Sequence, residues 1–125
     1  MSQIRAVTVK MDANQLYEQG FQLRCDGQYG AARMIFEQVL AQNPDHTDSK
    51  WQIGLIQGFE GDFDGSLETL HKIVSQNPQH ENARYDLAMT MMMLGMADEA
   101  CAHFHEILRT NPDHEKARQQ VVYCS

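Results

Sequence analysis

The sequence predicts an all-α protein built as a stack of antiparallel helix pairs, and three observations predict it. The chain has three prolines, each preceded by asparagine: Asn43-Pro44, Asn77-Pro78 and Asn111-Pro112, a constant interval of 34 residues. Glycines keep that interval at Gly27, Gly61 and Gly95, and histidines at His46, His80 and His114. Residues 13–46 laid over 81–114 agree at ten of 34 positions, including Tyr17/Tyr85, Ala32/Ala100, Phe36/Phe104 and Leu40/Leu108, where unrelated segments would agree at about two. A fixed period means one small unit repeated, each unable to bury its apolar face alone.

The elements follow in order. Residues 1–12 form an N-terminal arm mixing Ile4, Val7 and Val9 with Arg5 and Lys10; it reads as disordered chain, an added helical turn, or a strand for a neighbouring chain. Three repeats then span 13–46, 47–80 and 81–114. In each, the glycine at 27, 61 or 95 ends a first helix where positive φ is cheap. Asn-Pro stops the second helix, because the residue before proline disfavours the α region. Small residues at Gly20, Gly54 and Ala88 face Ala32, Ser66 and Ala100, so the paired helices can approach closely. Residues 115–125 (EKARQQVVYCS) predict a capping helix whose Ala117, Val121 and Val122 cover the last repeat, with Lys116, Arg118, Gln119 and Gln120 facing solvent.

This pattern resembles the tetratricopeptide repeat family, whose documented period is 34 residues. The first repeat carries the resemblance on Leu16, Gly20, Leu23, Ala32, Phe36 and Pro44. The second carries it on Trp51, Ile53, Gly54, Ser66, Leu70 and Pro78, with Trp51 one place late. The third does so on Leu87, Ala88, Met91, Ala100, Phe104 and Pro112. Gln19 departs from the pattern where leucine is expected, and Lys50 and Arg84 stand at the first large apolar position. The resemblance implies a right-handed superhelical solenoid and a concave groove that holds peptides or helices.

Composition and charge exclude several functions. The net charge is −7, so a basic face for nucleic acid is not expected. No run of 18 apolar residues predicts membrane insertion, and the N-terminus lacks a secretory pattern. Cys25, Cys101 and Cys124 are odd in number and widely spaced, which reads as reduced thiols in a cytoplasmic setting. The chain lacks a phosphate-binding GxxxxGK[ST], a GxSxG elbow, an HExxH pair and a GxGxxG, so no enzyme and no cofactor are expected. Asp62-Phe63-Asp64-Gly65 fails as a calcium loop, because its glycine is early and Ile73 stands where a bidentate glutamate is needed. His46, His80 and His114 lie too far apart to share a zinc and read as surface residues.

What remains is the groove. The resemblance lines it with one stripe of each first helix, and nine stripe positions are large and apolar: Tyr17, Phe21, Trp51, Leu55, Phe59, Tyr85, Met89, Met92 and Met93. Tyr85, Met89, Met92 and Met93 share an arc of about 100°, while Leu87, Ala88 and Met91 turn toward the packing side. If each position exposed roughly 50 Å², the strip would reach about 400–500 Å², large for a monomer. The expected function is a protein-interaction adaptor or small chaperone-like scaffold, holding a protein or peptide with an apolar or amphipathic segment. The alternative is a self-assembling structural protein, a homo-oligomer whose groove is filled by its own N-terminal arm or another copy. Chaperone-binding relatives grip a terminal carboxylate with Lys and Asn. Here the corresponding positions are Tyr17, Phe21, Gln52, Asn82 and Asp86, so the acidic tails of heat-shock chaperones are not expected partners.

Overall fold

The computed structural model describes residues 10–124. Among these run seven helices and no strand: α1 (Ala13–Cys25), α2 (Tyr29–Gln42), α3 (Thr47–Phe59), α4 (Phe63–Gln76), α5 (Glu81–Met93), α6 (Ala97–Thr110) and α7 (Glu115–Val121). The all-α expectation therefore holds. The expectation for the N-terminal arm lies, for residues 1–9, outside the described part. The backbone divides into two compact units, Met1–Ser49 and Lys50–Ser125.

Three-residue turns join α1 to α2, α3 to α4 and α5 to α6, and each is built the same way. Gly27, Gly61 and Gly95 have φ of 80°, 88° and 79°. The residue after each glycine donates its N–H to the carbonyl five back: Gln28 to Leu23, Asp62 to Gln57, Met96 to Met91. Each glycine donates to the carbonyl three back. This pair of bonds is the Schellman arrangement, which satisfies carbonyls that the helix end would leave orphaned.

The links from α2 to α3, α4 to α5 and α6 to α7 are also alike. Asn43, Asn77 and Asn111 are extended, at φ of −139°, −135° and −141°, and each closes its helix by donating to Val39, Ile73 or Ile107. The asparagine carbonyl then accepts the N–H of the histidine three residues on, which positions the imidazole. His46 Nδ1 accepts from the Ser49 N–H at 3.2 Å, His80 Nδ1 from Ala83 at 3.0 Å and His114 Nδ1 from Ala117 at 3.1 Å. Each histidine is thus the N-cap of the next helix. Each ring also packs on the aromatic 29 residues earlier: Tyr17–His46, Trp51–His80 and Tyr85–His114, with centroids 5.3, 5.6 and 5.9 Å apart. These are half-buried structural residues, not the surface histidines that spacing suggested.

In the first unit α1 starts with a capping box between Asp12 and Gln15. Leu16 and Gly20 of α1 and Ala32, Phe36 and Val39 of α2 are the buried residues of this packed helix pair. A Cβ on Gly20 would sit 2.8 Å from the buried Phe36 ring, so the approach of the two helices requires glycine there. In the second unit Gly54 does the same for Leu70, at 2.9 Å. Ser66 Oγ donates to the Gly54 carbonyl at 2.8 Å, and Thr69 Oγ1 donates to Gln57 Oε1 at 2.7 Å, tying α3 to α4. A continuous apolar cluster runs from Leu70, Ile73 and Val74 through Leu87, Ala88 and Met91 to Phe104, Ile107 and Ala117.

Two expectations are corrected. Cys101 and Cys124 are joined in a disulfide with Cα atoms 5.9 Å apart, so the reduced-thiol reading holds only for the exposed Cys25. Residues 23 apart in sequence meet because α7 folds back along α6, a path that spacing cannot show. The compartment argument drawn from reduced thiols loses its basis. The capping helix also ends at Val121: Ala117 is buried and Val121 half-buried, but Val122 is 77% exposed.

Replacing His80 by alanine removes both the cap and the ring contact and should cost about 1–2 kcal/mol. His80→Asn restores an acceptor at the cap and should recover part of that loss. Urea unfolding of both variants checks this; an alanine variant as stable as the wild type would remove the capping role.

Candidate functional site

The nine stripe residues do not share one environment. Among them Phe21, Phe59 and Met93 are exposed, at 38%, 53% and 64%, and the other six are half-buried. Tyr17 and Phe21 belong to the first unit. Tyr17 lies between Phe36 and His46, and Arg24 places its guanidinium 5.1 Å from the Phe21 ring centre. Trp51 is fixed by His80 and by a 2.7 Å hydrogen bond from its Nε1 to Asp86 Oδ2. Met92 packs against the apolar cluster of the second unit.

Leu55, Phe59, Met89 and Met93 are brought together. They line a cavity of about 290 Å³ between α3 and α5, with Phe63, Ser66 and Leu70 of α4 at its side and Gly58, Asp86 and Thr90 completing the wall. Local rules explain the shape. Positions 86, 89, 90 and 93 recur at helical spacing on one face of α5, and 55, 58 and 59 do so on α3. Gly58 leaves the wall open, since a Cβ there would meet nothing closer than Ser66 Oγ at 3.5 Å. Asp62 caps α4 by accepting from the Gly65 N–H at 2.9 Å, which starts that helix beside Phe63. Sequence reasoning missed Phe63, because it belongs to a second helix and the stripe was drawn on first helices alone. A turn of α4 beginning on an aromatic beside Gly58 was the available signal.

Tyr85, one turn before Met89, does not line this cavity. His114 stacks on it, Lys116 Nζ lies 5.8 Å from its ring centre, and Gln120 bonds to it. Burial raises its phenol pKa, the Asp86 charge adds to this, and the Gln120 bond partly offsets both. On the α6 side of α5, Arg84 Nη1 bonds His103 Nδ1 at 2.9 Å and Nη2 donates to the Pro78 carbonyl at 2.9 Å. The arginine at an expected apolar position is therefore a polar clasp between α5 and α6. Because Arg84 is a donor only, His103 Nδ1 is its acceptor and carries no proton. Among the described residues no group of three or more His, Cys, Asp or Glu gathers as a metal site, and no helix is long and apolar enough to cross a membrane.

The helix pairs, their turns and the small-residue contacts define a helical repeat protein. Residues 60–121 match the family model of the tetratricopeptide repeat, and the chain is a tetratricopeptide repeat protein. No curated protein matches it. Among solved structures it is similar to YrrB, described as a TPR protein with an unusual peptide-binding site, at 21% identity and a TM-score of 0.78. That match covers 90% of this chain and 58% of YrrB. It is similar to MamA at 15% identity and a TM-score of 0.78, covering 87% of this chain and 64% of the other. A Thermobaculum terrenum O-GlcNAc transferase mutant matches at 21% identity and a TM-score of 0.77, over 84% of this chain and 20% of that one. The chain thus spans less than two thirds of each of these proteins.

Burial and the neighbouring Arg84 and His71 charges lower the His103 pKa, outweighing Glu99 and Glu106, which raise it. The folded chain therefore binds this proton more weakly than the unfolded chain, whose histidine value is about 6.5. The stability involved is present above that value and is lost as pH falls below it. Thermal unfolding at pH 7.5 and 5.5 should show a drop in Tm on acidification that is smaller in His103→Asn. An equal drop in both would remove His103 from the account.

Proposed function

We propose that this chain is a protein-interaction module that holds an apolar or amphipathic peptide segment in the notch between α3 and α5. The carrying observation is the cavity of about 290 Å³ lined by Leu55, Phe59, Phe63, Met89 and Met93, with Phe59 and Met93 more than half exposed. Covering those two side chains, with an equal area on the partner, yields on the order of 10 kcal/mol gross at about 25 cal/mol per Å². Association costs of at least about 4 kcal/mol, with ordering costs added, leave at most about 6 kcal/mol, a contact of tens of micromolar or weaker. Methionine suits such a site because its flexible thioether adapts to differently shaped partners. A protein of similar fold, YrrB, is described as having a peptide-binding site, which supports the same class of role here. The reading is of binding rather than catalysis.

A second reading, self-assembly, is favoured by Val122 and Tyr123, exposed at 77% and 75% beside the end of α7. A mass that climbs with concentration in light scattering would select it.

The groove reading is tested with a labelled amphipathic helical peptide carrying Leu and Phe on one face. Gly58→Leu fills the notch and Met93→Glu charges its rim. Each should weaken binding about tenfold or more with helicity retained, a loss of about 1.4 kcal/mol. Met34→Glu, at an exposed position on α2 in the first unit, should leave it unchanged. Unaltered affinity in both notch variants would overturn the assignment.

A further inference from the structure

The C-terminal segment is held in an unusual way. α7 has seven residues, short enough to be marginal as an isolated helix. Its packing rests on buried Ala117, half-buried Val121 and the contacts of His114, Lys116 and Gln120 with Tyr85. Beyond Val121 the side chains of Val122 and Tyr123 are exposed, and the backbone bonds of Tyr123 and Cys124 return to Gln120 and Val121 of the same segment. What joins that end to α6 is the Cys101–Cys124 disulfide. Both cysteines are half-buried rather than sealed in the core.

We propose that Cys101–Cys124 is a thiol–disulfide site that sets whether α7 stays docked: oxidised, it clamps the helix over Tyr85; reduced, it releases the helix and adds Tyr85 to the exposed apolar face of α5. The co-reactant is a dithiol. One of its thiolates attacks the Cys124 sulfur, forming a mixed disulfide and expelling the Cys101 thiolate. Its second thiol then attacks the mixed disulfide, releasing Cys124 and leaving the reagent as its own disulfide. Two electrons and two protons pass to the cysteines, and oxidation reverses the sequence. Tyr85 matters because it precedes Met89 by one helical turn, so its release lengthens the apolar stripe. That consequence rests on the groove reading; the release of α7 does not.

The test uses the full chain, oxidised with glutathione disulfide or reduced with dithiothreitol. In Cys25→Ser, where no exposed thiol is left to take up glutathione, titratable thiols should rise from none to two. Amide hydrogen exchange across residues 115–123 should then accelerate about tenfold or more, with residues 51–76 unchanged. Cys124→Ser should show the fast pattern without reductant and ignore it, whereas Cys25→Ser should respond as the wild type does. Two free thiols in oxidised Cys25→Ser, or equal exchange in both states, would overturn the proposal. The labelled amphipathic peptide adds a separate arm. Tighter binding after reduction supports the exposure of Tyr85, and equal binding with α7 released overturns that part. No binding in either state counts against the groove reading, and the exchange rates still decide the redox site.

Discussion

One imidazole per link organises this chain. The ring at 46, 80 or 114 offers its Nδ1 lone pair to the first turn of the helix it precedes and its face to an aromatic 29 residues earlier. Both contacts depend on the Asn-Pro dipeptide, which stops the preceding helix and whose asparagine carbonyl fixes the histidine backbone. A helix start is thereby coupled to a ring on a preceding helix, so the link has little freedom to vary. The same contact decides which inner-stripe residues stay accessible. Tyr17, Trp51 and Tyr85 are clasped by their histidines, while Phe21, Phe59 and Met93, one or two turns further along, are exposed.

That division gives the second unit its candidate site. Trp51 is locked twice, by His80 and by Asp86, and so forms a rigid end to the α3–α5 contact. Beyond it the lining changes to Leu55, Gly58 and Phe59 against Met89 and Met93, and the cavity opens where Gly58 contributes no side chain. A fixed aromatic end and a soft, partly open end suit recognition of an apolar segment whose exact shape varies. The net charge of −7 serves solubility around this apolar surface more than it selects a partner.

Much of the fold was legible because it depends on local rules. Positive φ at Gly27, Gly61 and Gly95 follows from chain geometry at a helix end, and the Asn-Pro stops follow from proline sterics; both reappear as drawn. The split of α5 into a buried side, Leu87, Ala88 and Met91, and an inner side was also legible from 100° per residue. The rest needed tertiary neighbours. Angular position puts Met92 beside Met89, but only the packed structure shows that both rest on the apolar cluster while Met89 alone of the two also lines the cavity. The histidine caps were missed because imidazole is an uncommon N-cap and its second contact lies 29 residues away. The disulfide was missed because nothing in three scattered cysteines says which two will meet, and the role of Arg84 at an expected apolar position needed its partners His103 and Pro78.

The central claim is that the α3–α5 notch, and not the surface at large, receives an apolar peptide. Methionine methyl NMR tests it most directly, since the chain carries eight methionines, of which Met89 and Met93 line the notch and Met34 is exposed on α2. On titration with an amphipathic helical peptide, the account predicts saturable shifts at Met89 and Met93, with Met34 on α2 unmoved. Shifts that fall on Met34 alone, or equally on every exposed methyl, would contradict it.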